Sequence, residues 1–261
     1  MHPPRAPLRP GDTPASAQTS RSYETRPHRP SRTGRVRQNH AHADLTEVSE
    51  YQGEASTRVS ATQLGTSYSA AAARRIVDEW VNFLAAGPSP IRELAFTTRT
   101  PRRLFEALAG QPQLRSLTVK WGDYSDLSPL TGMVGLQQLT LRGASGVHDL
   151  RPISVLIRLE SLAVEGFRDI RDLSPLGELQ QLTSLELGGN WMTPSNAHVG
   201  SIDVLRQLPG LQRVQLHTLI VDDKDYSPLL ALPNLKAVRF QRVRGMRPPF
   251  EELKARLPWD G

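Results

Sequence analysis

A short apolar pattern recurs along this chain of 261 residues and limits the folds that it can adopt. The pattern, apolar-x-x-apolar-x-apolar, occurs seven times, beginning at Ile91, Leu114, Leu136, Leu159, Leu182, Leu211 and Leu235. Successive occurrences begin 23, 22, 23, 23, 29 and 24 residues apart. A second element keeps a constant phase within this period: "DLSPL" stands at residues 126–130 and 172–176, "DLRPI" at 149–153 and "DYSPL" at 225–229. Two elements that share one period predict stacked structural repeats.

Each repeat carries the signals of one β-strand followed by one turn. The apolar-x-apolar end of the pattern has the period of a strand with one buried face. Ser followed by Pro begins a helical turn, in which we expect the Ser hydroxyl to cap a free backbone N–H and Pro to take the first helical position. The next apolar residue should point inward, and these residues are Leu130, Ile153, Leu176, Leu205 and Leu229. Because one coil cannot bury its apolar residues alone, neighbouring coils must stack.

These residues resemble the bacterial leucine-rich repeat proteins with short repeats of 22–23 residues, in which a "DLSPL" motif follows each strand; the resemblance covers about residues 91–240. It implies an α/β solenoid, curved and right-handed, with a parallel β-ribbon on the concave face. Short helices or 3-10 turns would form the convex face, with a helical cap at each end. The chain departs from the family at the position after each strand, where Asn is usual. Only Asn190 fits, and the other residues there are Arg99, Gly122, Ala144, Phe167, Leu219 and Val243.

The chain divides into four predicted segments. Residues 1–60 are predicted to be a disordered tail, because residues 1–40 hold eight Arg and seven Pro but few apolar side chains. The alternative is a mis-assigned start, with translation beginning near residue 48. Residues 61–90 are predicted to be an N-terminal cap, with a helix over 69–86 whose Ile76, Trp80, Phe83 and Leu84 share a face. Residues 91–241 would hold seven strands and residues 242–261 a C-terminal cap with a short helix, while 41–68 fit either an extra strand or a linker.

Charge and composition exclude several classes of function. The net charge of +6 arises within residues 1–40, since the remaining 221 residues hold 24 basic and 24 acidic side chains. Nucleic-acid binding is therefore expected only through the tail. No apolar run has the length of a signal peptide or a membrane span, so we expect no membrane partner and a cytoplasmic location. The absence of cysteine excludes disulfides, thiolate metal sites and Cys nucleophiles.

The candidate binding residues lie on the strand face that points away from the core. Small polar residues are predicted for its centre, and larger ones rise around it, where aromatic and Arg side chains are common binding anchors. The insertion in the 29-residue repeat, within residues 190–200, should also shape this face. The predicted partner-binding residues are Lys120, Trp121, Arg142, Glu165, Glu186, Asn190, Trp191, Gln215, His217 and Arg239. The alternative is an ordinary solvated sheet face, with Trp121 and Trp191 folded back as packing.

Catalytic and metal sites are not predicted. His217 stands near Asp222 and Asp223 in sequence, but no nucleophile motif surrounds it. His148 and Asp149 fall at a repeat corner, where Asp149 has a structural role. No P-loop motif is present, and no cofactor is expected.

The sequence therefore predicts a non-enzymatic, monomeric module that binds a protein partner through its concave face. One alternative follows from the resemblance, because similar repeats form the sensing arm of bacterial NTPases in signalling or defence. This chain would then be a separated recognition arm. Nucleic-acid association through the basic tail is a further alternative, and an enzyme is the least favoured.

Overall fold

The computed structural model describes residues 43–190 and 196–260, so the predicted tail up to residue 42 and residues 191–195 lie outside the described residues. The strands of the described part are β1 (Ser56–Val59), β2 (Glu93–Thr100), β3 (Ser116–Gly122), β4 (Gln138–Leu141), β5 (Ser161–Glu165), β6 (Asp169–Ile170), β7 (Ser184–Gly188), β8 (Ala197–Val199), β9 (Arg213–His217), β10 (Leu219–Val221) and β11 (Ala237–Phe240). The main sheet has eight parallel strands in the order β1-β2-β3-β4-β5-β7-β9-β11. A second sheet has three parallel strands in the order β10-β8-β6.

Short helical segments connect the strands. The α-helices are α1 (Ala70–Ala85), α2 (Arg102–Glu106) and α3 (Phe250–Arg256). The 3-10 turns are Val48–Glu50, Ala107–Gly110, Ser128–Leu130, Arg151–Ile153, Ser174–Glu178, Asp203–Gln207 and Ser227–Ala231. Each coil thus consists of a strand and a return path through a short turn, and neighbouring coils pair through parallel strands. This is the α/β leucine-rich repeat solenoid that the repeat predicts.

Two columns of apolar side chains form the core beneath the main sheet. Strand pairing places one residue from each strand after β1 in direct register. The first column is Leu94, Leu117, Leu139, Leu162, Leu185, Val214 and Val238, and the second is Phe96, Val119, Leu141, Val164, Leu187, Leu216 and Phe240. All are 4% exposed or less. The inward residues of the turns, Leu130, Ile153, Leu176, Leu205 and Leu229, are fully buried against this core, as predicted.

An Asp side chain, rather than the predicted Ser hydroxyl, caps the turn at each "DLSPL" corner. The Asp126 carboxylate accepts hydrogen bonds from the Ser128 backbone N–H at 2.8 Å and from the Ser128 hydroxyl at 2.7 Å. The same backbone bond recurs from Arg151 to Asp149, Ser174 to Asp172 and Ser227 to Asp225. The prediction of a Ser cap is therefore wrong. The N–H groups of Leu130 and Thr131, which a Ser128 hydroxyl would cap, donate to the Leu127 and Ser128 carbonyls instead, while the Asp carboxylate satisfies the N–H of Ser128 itself in an Asx-type turn.

The N-terminal end begins earlier than the sequence suggested. β1 pairs with β2 in parallel, and Leu45 forms a further bridge to Val59. β1 is thus the extra strand that was one of the two alternatives for residues 41–68, and it lies inside the segment predicted as a tail; residues 91–241 contribute the other seven strands of the main sheet. Ser69 caps the start of helix α1, and its hydroxyl accepts from the Ala72 N–H. The indole of Trp80 is fully buried and donates to the Thr46 carbonyl at 2.8 Å, which ties this helix to the N-terminal segment.

Aromatic rings close the C-terminal end. Phe240 of β11, Phe250 of α3 and Trp259 contact one another edge to face, with ring centroids 5.1–5.7 Å apart. Trp259 also forms a parallel bridge with Val238 beside the last strand. Leu253 of α3 is fully buried, so this short helix covers apolar groups that the open end of a solenoid would otherwise expose.

At three of the positions where the family usually has Asn after a strand, this chain has a buried apolar side chain instead. Ala144, Phe167 and Leu219 at these positions are 2% exposed or less. The end of the insertion within residues 190–200 forms β8, which lies between β6 and β10 in the second sheet, and its Ala197 and Val199 are buried. Within the described residues, no helix is both long and apolar enough to cross a lipid bilayer.

Candidate functional site

The outward side chains of the main sheet form two columns, which together with the residues at the strand ends are here called the ribbon face. Strand register aligns Glu93, Ser116, Gln138, Ser161, Ser184, Arg213 and Ala237 in one column. It aligns Ala95, Thr118, Thr140, Ala163, Glu186, Gln215 and Arg239 in the other. Through β3, β4 and β5, both columns consist of small or uncharged residues. The larger groups lie at the C-terminal ends of these strands.

Trp121 presents a large apolar group at the end of β3. Its side chain is 38% exposed. The Arg99 guanidinium carbon lies 5.9 Å from the ring centroid, and Arg99 also forms an ion pair with Asp123 at 2.5 Å. Lys120, one residue earlier, is exposed. An exposed indole beside cationic groups is the kind of side chain that commonly anchors a protein partner.

A gap at Gly188 brings three ionisable side chains together. Glu165, Gly188 and His217 pair in register on β5, β7 and β9. A Cβ atom on Gly188 would lie 2.5 Å from two atoms of the His217 ring, so the ring occupies the space that a side chain would need. The ring nitrogen Nε2 lies 4.0 Å from Glu165 Oε2, and Nδ1 lies 3.5 Å from Glu186 Oε1. Glu165, Glu186 and His217 are here called the Glu–His cluster.

Glu165 is unusual because its carboxylate is almost completely covered. The residue is 8% exposed, and Arg142 Nε approaches its Oε1 at 3.1 Å. That contact lacks hydrogen-bond geometry, so Oε1 has no hydrogen-bond partner among the described residues. Burial raises the pKa of the Glu165 carboxyl, Arg142 and His217 oppose this rise, and the nearby Glu186 adds to it. The cluster therefore holds a carboxylate whose charge is poorly solvated.

The structure brings some of the predicted site residues together and separates others. Arg142 contacts the Glu–His cluster, while Gln215 and Arg239 follow Glu186 along the same column. Lys120 and Trp121 lie on β3, away from that cluster along the ribbon. Asn190 is exposed just after β7. Trp191, like the neighbouring Met192, lies outside the described residues.

A network on the second sheet was not predicted. Asp222, considered from the sequence as a neighbour of His217, instead lies 2.7 Å from His198 Nδ1 and 3.0 Å from Arg171. Arg171 also pairs with Asp169 at 2.8 Å. The sequence did contain a signal for it, since His198 stands between Ala197 and Val199 in a short apolar-polar-apolar alternation typical of a strand.

Comparison with known proteins gives similar folds only. No family model and no curated protein gives a significant match to the chain. Among solved structures, internalin C2 (inlC2) from Listeria monocytogenes str. 4b F2365 matches with a TM-score of 0.46 and 20% identity, over 69% of this chain and 72% of that one. An internalin (inlF) from the same strain matches with a TM-score of 0.36 and 19% identity, over 70% of this chain and 62% of that one. The plant peptide hormone receptor RGFR1 in complex with RGF2 matches with a TM-score of 0.40 and 15% identity, over 58% of this chain.

This chain thus spans 62% of the inlF structure and 24% of the receptor structure, less than two thirds of either. At these identities and TM-scores, none of the matches bears on function.

Proposed function

We propose that this chain is a non-enzymatic recognition module that binds a protein partner on the ribbon face. The residues proposed to contact the partner are Lys120, Trp121, Arg142, Glu165, Glu186, Asn190, Trp191, Gln215, His217 and Arg239. The observation that supports this most is the shape of the ribbon. Eight parallel strands in register hold a floor of small side chains beside larger groups at the strand ends.

The floor suits close approach by another protein. Ser116, Thr118, Thr140, Ser161 and Ala163 carry short side chains, so a partner could approach the strands closely along this part of the ribbon. Rigid strands also lose little conformational entropy when a partner binds, which favours affinity. A small floor beside a half-exposed indole matches the usual arrangement of a binding anchor surrounded by weaker contacts.

The charges on the ribbon face favour a protein over a nucleic acid. Cationic Lys120, Arg142 and Arg239 share the face with anionic Glu165 and Glu186. Phosphate backbones are bound by surfaces on which positive charge is continuous, and the mixture here interrupts any such stripe. A protein surface with charges of both signs is the complementary partner.

We also propose that the module acts as a monomer. At one end of the stack, Leu45 bridges to β1 and the Thr46 carbonyl accepts the Trp80 N–H; at the other end, the rings of Phe240, Phe250 and Trp259 pack against one another. Covered ends remove the apolar surface through which solenoid ends would associate. The cytoplasmic location stays a prediction from the sequence.

The test compares two variants of matched chemistry in the full-length chain. Trp121→Ala/Arg239→Glu changes an exposed apolar and an exposed Arg side chain on the ribbon face. Ile157→Ala/Arg158→Glu makes the same two kinds of change on the return path before β5. Each protein would be used for quantitative affinity capture from the organism that encodes it, and the partner would then be purified for titration.

We expect the ribbon variant to bind the purified partner at least about tenfold more weakly, since loss of an anchor commonly costs 2 kcal/mol or more. The return-path variant should bind like the wild type. If both variants bind the partner equally, or if only the return-path variant loses binding, the site does not lie on the ribbon face.

A further inference from the structure

The Glu–His cluster has the composition and spacing of a metal site. Glu165, Glu186 and His217 each offer one ligand atom, and these atoms all lie within 4.8 Å of one another. Ligands around a tetrahedral Zn²⁺ ion stand about 3.3 Å apart, because each lies about 2.0–2.1 Å from the metal. The ligand atoms must therefore come closer when an ion binds, and Glu186, whose side chain is 30% exposed, is the least enclosed of the three.

The backbone prepares this arrangement. Three adjacent strands hold the cluster, and a glycine stands between Glu165 and His217 in the register. A side chain at position 188 would collide with the His217 ring at 2.5 Å, so this glycine is what lets the imidazole lie between the two carboxylates. Ligands on rigid neighbouring strands need little reorganisation to bind an ion.

The electrostatics of Glu165 point to a cation. Its side chain is nine-tenths buried, and Oε1 has no hydrogen-bond partner among the described residues. A buried anion without full compensation is costly. Arg142 Nε lies 3.1 Å from Oε1 and balances one charge from that side, which leaves Oε2 facing His217. The formal charges of the two Glu carboxylates and the Arg142 guanidinium sum to one negative charge, which a dication would offset.

We propose that Glu165, Glu186 and His217 bind a divalent transition-metal ion of the Zn²⁺ class on the ribbon face. One imidazole nitrogen and two carboxylates form a ligand set that suits Zn²⁺. Ca²⁺ and Mg²⁺ fit poorly, since they prefer six or more oxygen ligands. Three protein ligands leave the fourth tetrahedral position open to solvent. This inference does not depend on the proposed partner binding.

The test is calorimetric titration of the full-length protein with ZnCl₂, supported by the visible absorption of bound Co²⁺. His217→Gln and Glu186→Gln each remove one ligand while keeping a similar side-chain size. His198→Gln is the matched control, because His198 pairs with Asp222 on the second sheet and lies outside the cluster. Residues 1–42 contain four further His, which are identical in all these proteins and therefore contribute equally to every titration.

We expect the wild type and His198→Gln to bind one Zn²⁺ ion with affinities within about threefold of each other. The two ligand variants should bind it at least about tenfold more weakly, since loss of even an outer hydrogen-bond partner of a ligand costs 10–100-fold. The visible absorption of tetrahedral Co²⁺ should be absent in these two variants.

Three results would overturn the proposal. One is the same isotherm for the wild type and His217→Gln. Another is loss of Zn²⁺ binding in His217→Gln without any loss in Glu186→Gln, which would mean that His217 binds the ion without Glu186. The third is displacement of Zn²⁺ by a tenfold excess of Ca²⁺. If His217→Gln loses the circular dichroism spectrum of the folded chain, Glu186→Gln decides alone, and wild-type affinity there refutes the site.

Discussion

Replacing Gly188 by alanine should destabilise the protein, although a Gly-to-Ala change on ordinary backbone usually has the opposite effect. A methyl group at this position would lie 2.5 Å from His217 Cδ2 and Nε2 and 2.6 Å from the His217 carbonyl oxygen. The ring can rotate away, but the carbonyl belongs to the backbone of the neighbouring strand β9 and cannot move without disturbing the sheet. Overpacking of this kind costs about 1–3 kcal/mol of unfolding free energy.

Gly132→Ala is the matched control, because the nearest atom to a Cβ there is Pro112 Cβ at 4.0 Å. With space available, the lower entropy of the unfolded chain should stabilise this variant by about 0.4–1 kcal/mol. The two substitutions should therefore differ by about 1.5–4 kcal/mol in urea unfolding followed by circular dichroism. The double variant Gly188→Ala/His217→Ala should recover only part of the loss, since the contact with the carbonyl oxygen remains. Equal stability of Gly188→Ala and Gly132→Ala would refute the reasoning.

Three further predictions concern the core, the C-terminal end and the turns. Leu162→Ala should cost about 2–5 kcal/mol in urea unfolding, because Leu162 is buried between Leu139 and Leu185 in the first column, whereas Thr140→Ala on the ribbon face should change little; equal effects would contradict the assigned core. Trp259→Ala should lower the melting temperature, because the Trp259 ring contacts those of Phe240 and Phe250 at the end of the solenoid. The decrease should be smaller than for a fully buried Trp, because Trp259 is only partly buried; an unchanged melting temperature would show that these rings do not close the stack. The Ser174 hydroxyl, and to a smaller extent the Ser174 backbone N–H, donate hydrogen bonds to the Asp172 carboxyl and lower its pKa. Ser128 and Ser227 lower the pKa of Asp126 and Asp225 through the same pair of hydrogen bonds. This stabilisation is therefore complete above the unfolded pKa of about 3.9 and is lost as the pH falls through the lower folded pKa values. The urea midpoint should drop in that range, less steeply for Asp172→Asn, and an identical pH slope for that variant would count against the Asx-type turn.

Much of the fold could be predicted because the pattern within each repeat determines how its strand aligns with the neighbouring strands. A period of two within the strand decides which residues face inward, and the constant phase of the "DLSPL" motif brings equivalent residues to equivalent places in successive coils. The cap helices were also predictable, since Ser69 gives a start signal and the apolar face of α1 recurs at helical spacing. The 29-residue repeat did not disturb this pattern, because β9 still pairs with β7 in register.

Other features required contacts that no local pattern reveals. β1 is four residues long and lies outside the repeat pattern, so its assignment depends on the edge that β2 offers. β8 is shorter still and is defined by pairing with β6 and β10. Asp rather than Ser caps the turn because the path of the turn brings the Asp126 carboxylate to the Ser128 N–H, while the N–H groups that follow bond to backbone carbonyls.

The repeat period by itself determined the solenoid, its inward columns and the set of residues on the outward face, because alternation and phase are properties of the chain read one residue at a time. Only the tertiary structure decided which outward residues meet. Glu165 and His217 come from separate coils and face each other because the position between them, Gly188, lacks a side chain. The burial of Glu165 and its approach to Arg142 depend likewise on neighbouring strands. Contacts across coils depend on the shapes of the intervening side chains, and the repeat pattern of one coil does not specify them.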